Sequence, residues 1–460
     1  MTLDAYVRSL QDKSIAVLGV GVSNTPLIEL LCAYGCDVTA CDKRTREQMG
    51  ELAEHLEAIG AKLRLGEDYL ENLREQVIFR TPGLMPFDEH LVRAKEQGSV
   101  ITSEMEAFFA LCPCRIFAVT GSDGKTTTTT IISELLKAAG YRVHLGGNIG
   151  HPLLCEVPDI RPDDVAVLEL SSFQLHSMTG RPDVAVITNI SPNHLDKHLD
   201  YQDYIDAKRS IFLQQRPSDR LVLNLDDGQT PYYRSQAVSQ VSYFSDKGTE
   251  KNGCFCRGED IFRLQDGKMT YIMKKDEILL PGEHNVQNYL AAFEATRDLV
   301  DAETCRLVAM RFKGVEHRLE TVRELRGVTY INDSIGSSPS RTIAGLHALK
   351  RKPIVIAGGY DKHIPFDSLG DELCRYAKAV FLTGNTAEKI HDAIVKSPYY
   401  ADSHLRVEHV EDFKEAVLAA SRSAGEGDIV LLSPACASFD HFKNFAERGD
   451  FFKKIVMELE

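Results

Sequence analysis

Residues 120 to 130 read TGSDGKTTTTT, a spacing suited to handling a nucleoside triphosphate. Gly121 and Gly124 free the backbone to turn its N–H groups onto phosphate oxygens, with Ser122 and Asp123 between them. Lys125 would reach the β- and γ-phosphates, and the hydroxyl of Thr126 or Thr127 would ligate Mg²⁺. The usual phosphate loop has a further glycine five residues before its Gly-Lys pair. Val119 stands there, so a shorter loop is expected.

Such a loop needs a strand before it and a helix after it. The run Arg115-Ile116-Phe117-Ala118-Val119 and the amphipathic stretch beginning at Ile131 supply both patterns. A second strand, turn and helix pattern lies near the N-terminus. Ser14 to Leu18 leads into Gly19-Val20-Gly21-Val22-Ser23, and Asp42 ends the next apolar run, where a dinucleotide fold sets an acid on a ribose hydroxyl. Asn24 follows Ser23, so the third glycine is missing and some other nucleotide-like group is expected. Strand Gln76 to Arg80 opens into Thr81-Pro82-Gly83, a loop at a strand's C-terminal end, where open α/β sheets gather ligands.

Glu169 closes the apolar run Val165 to Leu168. A charge there needs a partner, and a Mg²⁺ shared with a triphosphate would be one; capping of the next helix is the alternative. His194 and His198 are spaced as a metal pair on a helix would be, but Pro192 and the loop-like composition favour one functional histidine. On spacing alone, Lys208 on the helix from Tyr201 to Gln215 reads as a surface cation. Asn285 reads as a candidate cap for the helix carrying Asn288.

At 460 residues the chain exceeds what one core usually serves, and about three domains are expected. A net charge of −14 argues against nucleic-acid or anionic-membrane partners. The absence of a membrane-length apolar run or a signal-like start points to the cytoplasm. Eleven scattered cysteines fit reduced thiols, and the pairs Cys112/Cys114 and Cys254/Cys256 lack histidine spacing for zinc.

TGSDGKTTT, GGNIG, LELSSFQL, NHLDKH and the AKRSIF helix follow one another as in the Mur ligases, ATP-dependent amide-forming enzymes of peptidoglycan precursor synthesis. The resemblance spans essentially the whole chain. LELSSFQL and SPACASFDHFKNFAERGDFF resemble the branch that adds D-glutamate to UDP-N-acetylmuramoyl-L-alanine. The resemblance implies an α/β protein of three domains: a Rossmann-like UDP-sugar domain over residues 1–107, a central P-loop ATPase domain with a mostly parallel sheet over 108–314, and a Rossmann-like amino-acid domain over 315–460. It further implies two Mg²⁺ ions and a monomer acting on small molecules alone.

Residue by residue, the resemblance assigns Gly121, Ser122, Asp123, Gly124, Lys125, Thr126, Thr127, Asn288, Arg318 and Asp333 to ATP. Thr126, Glu169, His194 and a carbamylated Lys208 are implied as metal ligands, which overturns the surface reading of Lys208. Lys125, His194 and Lys208 are the implied catalytic set. Val22, Ser23, Asp42, Arg44, Thr81 and Asn148 fall to the UDP-sugar, and Ser337, Lys362, Ser438 and Phe445 to D-glutamate. The C-terminal domain would close over nucleotide held by the central one. Two positions depart from the family pattern: Asp123 replaces a common asparagine, and Ile335 stands where a lysine is frequent. Other readings of the same residues are an NAD-dependent oxidoreductase, a non-catalytic nucleotide-binding module, and a sibling ligase, either another Mur enzyme or a folylpolyglutamate synthase.

Overall fold

The structure is a computed structural model that describes every residue except 195, 196, 250, 281, 350, 362 and 363. The expected role of Lys362 therefore lies outside the described residues. The chain divides into two compact units, Met1–Phe312 and Lys313–Glu460.

Among the described residues the first unit holds two sheets. The N-terminal one comprises β1 (Ser14–Leu18), β2 (Asp37–Asp42), β3 (Lys62–Leu65), β4 (Val77–Phe79) and β5 (Val100–Thr102). All pairs are parallel, in the order β3-β2-β1-β4-β5. The order reverses between β1 and β4, so the loops at Gly19 and Thr81 open side by side at the switch point where such sheets bind ligands. A Cβ on Gly19, whose φ is +81°, would lie 3.0 Å from the Thr81 side chain.

The second sheet comprises β6 (Arg115–Thr120), β7 (Val143–Gly147), β8 (Val165–Glu169), β9 (Val184–Ile187), β10 (Arg220–Asn224), β11 (Gln240–Ser245), β12 (Gly253–Arg257), β13 (Asp260–Gln265) and β14 (Lys268–Lys274). Its order is β14-β13-β12-β11-β10-β9-β6-β8-β7. Strands β7 to β12 pair in parallel, and β12, β13 and β14 form an antiparallel meander at one edge. Every residue of β8 and β9 is buried, as parallel strands covered on both faces require. The helices Lys125–Ala138 and Glu283–Ala295 pack together, and their apolar residues share a core with β6, β8 and β9. A second continuous core takes side chains from both sheets, including Phe108 in the helix Glu104–Leu111, so the two are welded into one unit.

The second unit carries β15 (Glu320–Leu325), β16 (Val328–Asn332), β17 (Ile354–Ala357), β18 (Ala379–Leu382), β19 (Arg406–His409) and β20 (Ile429–Leu432). The order is β15-β16-β20-β17-β18-β19, parallel apart from the β15/β16 hairpin. Apolar layers cover both faces of this sheet. The expected α/β class with three parallel-rich sheets is what the chain forms. No described helix is long and apolar enough to cross a membrane.

Candidate nucleotide and metal site

β6 ends at Thr120, and the helix begins at Lys125, so the loop between them is four residues long. Its shape is held from outside. Ser122 donates its backbone N–H to the Asn189 carbonyl (2.8 Å), and its Oγ meets Tyr204 Oη (2.8 Å). Asp123 N donates to Asn189 Oδ1 (3.0 Å), and Thr188 Oγ1 donates to the Asp123 carbonyl (2.6 Å). A Cβ on Gly121 would stand 1.9 Å from Thr188 Oγ1, and one on Gly124 2.2 Å from Asn288 Oδ1. Glycine is required at both places by close approach, and at Gly124 also by a φ of +76°. The Asp123 side chain is exposed, so its departure from asparagine leaves the backbone contacts of the loop intact.

Lys125 Nζ donates to the Ser122 carbonyl at 2.8 Å, folded over the loop it follows. Thr126 and Thr127 are buried in the helix's first turn, whose free N–H ends favour an anion. Thr128 Oγ1 donates to Asn288 Oδ1 (3.2 Å), joining the loop helix to Glu283–Ala295. Gly282 occupies the cap of that second helix and Asn285 lies inside its first turn, so the capping role expected of Asn285 does not occur. Its Oδ1 instead accepts from Asn288 Nδ2 (3.1 Å).

Glu169 is 2% exposed at the end of β8. Its Oε1 accepts from Asn148 Nδ2 (2.8 Å), while Oε2 is buried with no hydrogen-bond partner among the described residues. Ser171, not Glu169, caps the following short helix, so the capping alternative is excluded. An orphaned buried carboxylate oxygen beside a phosphate-type loop is the donor a hard divalent cation takes.

Lys208 is the largest correction to reasoning from spacing. It is 1% exposed, because its helix Tyr201–Leu213 lays it beneath the loop, where Nζ donates to the Gly121 carbonyl (2.8 Å) and sits 4.6 Å from the Tyr204 ring centre. Burial, then the nearby charge of Lys125, pull its ammonium well below the ordinary lysine value, against the opposing pull of Asp123 and Glu169. Lys125, Asp123, Glu169 and Lys208 thus share one electrostatic neighbourhood. His194, on the loop after β9, has a φ of +55°, and its ring lies 5.1 Å from that of Phe173.

The N-terminal residues gather separately. Asp42 Oδ2 accepts from Val20 N (2.7 Å), and Oδ1 from Arg44 N (3.0 Å) and Nε (2.9 Å). Burial pushes this carboxyl up, but the Arg44 guanidinium and the two backbone N–H groups outweigh it and hold the group below its ordinary value. Val22 is exposed, and Ser23 lines a small cleft with Arg80, Pro82, Glu104 and Gln174.

In the second unit, Asp333 follows β16 and is buried, with Oδ2 accepting from Ser433 Oγ (2.7 Å) and Oδ1 from Leu319 N (3.2 Å). Burial raises its carboxyl to about 6, and Arg318 is among the charges pulling it back. Ser438 is buried after β20, and Phe445 begins the helix Phe445–Glu458 with its ring partly exposed. Ser337 is half-buried in the loop after Asp333, next to Ile335.

Sequence reasoning missed several residues that shape these sites. Arg448 is buried and donates to the Ser334, Cys436 and Ala437 carbonyls, clamping the loops after β16 and β20. Arg80 donates to Ser177 Oγ and the Phe173 carbonyl, tying the Thr81 loop to the segment after β8. The buried His198 is hydrogen-bonded to the half-buried Asp203. The polar residues Thr188 and Asn189 at the end of β9 were the one available signal for the outer wall of the loop.

Two family descriptions match this chain: Mur ligase middle domain over residues 119–296, and Mur ligase, glutamate ligase domain, over 317–436. The chain belongs to the Mur ligase family. It is 48% identical to the UDP-N-acetylmuramoylalanine--D-glutamate ligase of Acetivibrio thermocellus over 462 residues, covering 100% of this chain and 99% of the relative. It is 49% identical to the protein of the same name from Clostridium beijerinckii, covering 97% of each. Among solved structures, UDP-N-acetylmuramate-alanine ligase MurC from Thermotoga maritima shares the fold at 18% identity, with a TM-score of 0.57 over 97% of this chain and 99% of that one. MurF ligase from Thermotoga maritima in complex with ADP does so at 16% identity and a TM-score of 0.52, over 98% of this chain and 97% of that one.

Proposed function

We propose that this protein is an ATP-dependent ligase that joins D-glutamate to UDP-N-acetylmuramoyl-L-alanine in peptidoglycan precursor synthesis. The observation that carries the reading is identity near one half, end to end, with ligases of that name. The four-residue glycine loop, Lys125 and the orphaned oxygen of Glu169 are consistent with it.

The chemistry begins with a carboxylate, which is a poor electrophile. An alanyl carboxylate oxygen takes the γ-phosphoryl group of ATP, the bond to the β-phosphate oxygen breaks, and ADP leaves behind an acyl-phosphate. The D-glutamate amine then attacks the carbonyl carbon, phosphate departs, and an amide remains after the nitrogen loses its proton. Lys125 and the N–H groups of the loop bind and orient the triphosphate. Thr126, Glu169, His194 and a carbamylated Lys208 would hold two Mg²⁺ ions, whose charge offsets that of the triphosphate. A lysine held neutral by burial can form a carbamate: its nitrogen bonds to the carbon of CO₂ and gives up a proton, turning a would-be cation into an oxygen ligand.

The same reading keeps residues 1–107, 108–314 and 315–460 as sugar-nucleotide, ATP and amino-acid domains. Val22, Ser23, Asp42, Arg44, Thr81 and Asn148 are assigned to the sugar nucleotide, and Asn288, Arg318 and Asp333 to ATP. Ser337, Lys362, Ser438 and Phe445 are assigned to D-glutamate. The same reading makes the enzyme a monomer acting in the cytoplasm. ADP formation measured with UDP-N-acetylmuramoyl-L-alanine and a panel of amino acids tests the proposal. D-glutamate should be preferred strongly, and turnover with L-alanine or a diamino acid in its place would move the protein to another ligase specificity.

A further inference from the structure

Outside the phosphate loop, one chain of polar contacts links three segments that the ligase reading needs in register. Asp203 accepts from His198 Nδ1 at Oδ2 (2.8 Å) and from His176 Nε2 at Oδ1 (2.7 Å), and His198 Nε2 meets Ser172 Oγ at 2.9 Å. A carboxylate only accepts, so Nδ1 of His198 carries the hydrogen and the neutral ring's Nε2 accepts from the Ser172 hydroxyl. The His198 side chain is fully buried. Its ring stacks on Phe173 (5.5 Å between centres, 13° between planes) and meets Tyr204 edge-on (5.2 Å, 82°).

Position in the chain gives the contacts their meaning. Ser172 follows Glu169 by three residues, His198 follows His194 by four, and Asp203 precedes Lys208 by five on one helix. Each of the three segments bearing Glu169, His194 and Lys208, the proposed cation ligands outside the phosphate loop, therefore contributes one member of the chain. We propose that His198 is a positioning residue: by bridging Ser172 and Asp203 it fixes the mutual placement of the segments that carry Glu169, His194 and Lys208. The ligand atoms of His176, His198 and Asp203 lie within 4.8 Å of one another, as a metal site would need. They are already joined to each other by hydrogen bonds of ordinary length, so the geometry serves a brace without an ion.

The inference rests on the ligase reading, and the two fail separately. Hydrogen exchange on the ligand-free full chain reads the brace with no substrate present. His198→Ala should speed exchange in residues 170–176 and 199–208 together by about ten-fold, with helix 283–295 unchanged. In turnover, the half-saturating Mg²⁺ concentration should rise about ten-fold while KM for D-glutamate stays within about two-fold. His198→Asn, whose side-chain N–H can still reach Asp203, should recover part of both effects, and it decides the matter alone if His198→Ala does not fold. Wild-type exchange and Mg²⁺ dependence in a folded His198→Ala protein overturns the brace, as does a uniform rise in every KM with exchange faster throughout the unit. A wild-type protein that releases no phosphate with D-glutamate sinks the ligase reading, and the exchange result then decides on the brace by itself.

Discussion

The first unit contains two strand, glycine turn and helix arrangements, and their charged groups are treated in opposite ways. After β6, both glycines of the loop are forced by neighbours, and the carboxylate beside it, Glu169, keeps one buried oxygen without a partner among the described residues. After β1, Gly19 is held by its φ and by Thr81 but a Cβ on Gly21 would meet nothing within 4 Å among the described residues, and the acid at the end of β2, Asp42, is occupied by Val20 and Arg44. The first arrangement leaves an unsatisfied valence for a charged ligand. In the second, the acid is spent on shaping its own loop, holding Val20 and Arg44 in place. Similar local sequence patterns thus serve a rigid cradle in one case and a self-tied, open turn in the other.

The comparison is broken most sharply at Lys125. Lys125→Ala should lower kcat/KM by about a thousand-fold, because it removes a positive charge aimed at the developing charge on the triphosphate. Far-UV circular dichroism should be unchanged. Near-normal ADP release by the folded variant would place triphosphate chemistry elsewhere.

Lys208→Ala comes next, with a loss of at least about a hundred-fold. Short carboxylic acids at high concentration should restore part of it by supplying an oxygen ligand in the vacated space. Full activity in CO₂-depleted buffer would return Lys208 to a structural role, and loss without rescue would remove the carbamate from the proposal.

A smaller effect is expected at the second turn. Asp42→Ala should raise KM for the sugar nucleotide about ten-fold, since Arg44 and Val20 N lose their acceptor, and leave KM for ATP within about two-fold. Equal changes in both constants would erase the distinction between the two turns.

The mildest test concerns stability. Glu104 lines the cleft near Ser23, and burial pushes its carboxyl from 4.5 up to about 7, against the Leu154 N–H it accepts from. A carboxyl raised in the folded state contributes stability fully below about pH 4.5, and that contribution is lost as pH rises through about 7. Glu104→Gln keeps an acceptor for Leu154 N without the charge. It should stabilise the unit by about 2 kcal/mol at pH 8 and make little difference at pH 4, read from denaturant midpoints. A pH-independent difference would show that Glu104 does not titrate in this range.

Much of this was open to inspection in the chain itself. Apolar runs located β1, β6 and β8, the first two ending in Gly-rich turns, because a parallel strand buried on both faces must be apolar throughout and a phosphate-type loop must be able to bend. The phosphate-type loop was read from the contiguous stretch of residues 120 to 130. Glu169 stood out as a charge closing an apolar run and one of His194 and His198 as a functional histidine; family resemblance, carried position by position, added Lys208 as a proposed ligand.

Contiguous sequence could not supply what depends on elements folding over one another. Lys208 sits on a helix between Ala207 and Arg209, a local sequence that does not mark it as buried, and only the packing of that helix beneath the loop removes it from water and lowers its ammonium. The glycines at 121 and 124 are required by Thr188 and Asn288, which lie 67 and 164 residues further along. Asn285 looked like a cap because caps are judged on local composition, yet Gly282 starts that helix. The brace through Ser172, His198 and Asp203 joins three segments whose spacing carries no periodic signal. Local pattern determines which elements form and where the chain can turn; the burial of a charge, and the partner that neutralises it, are set only when distant elements exclude water together.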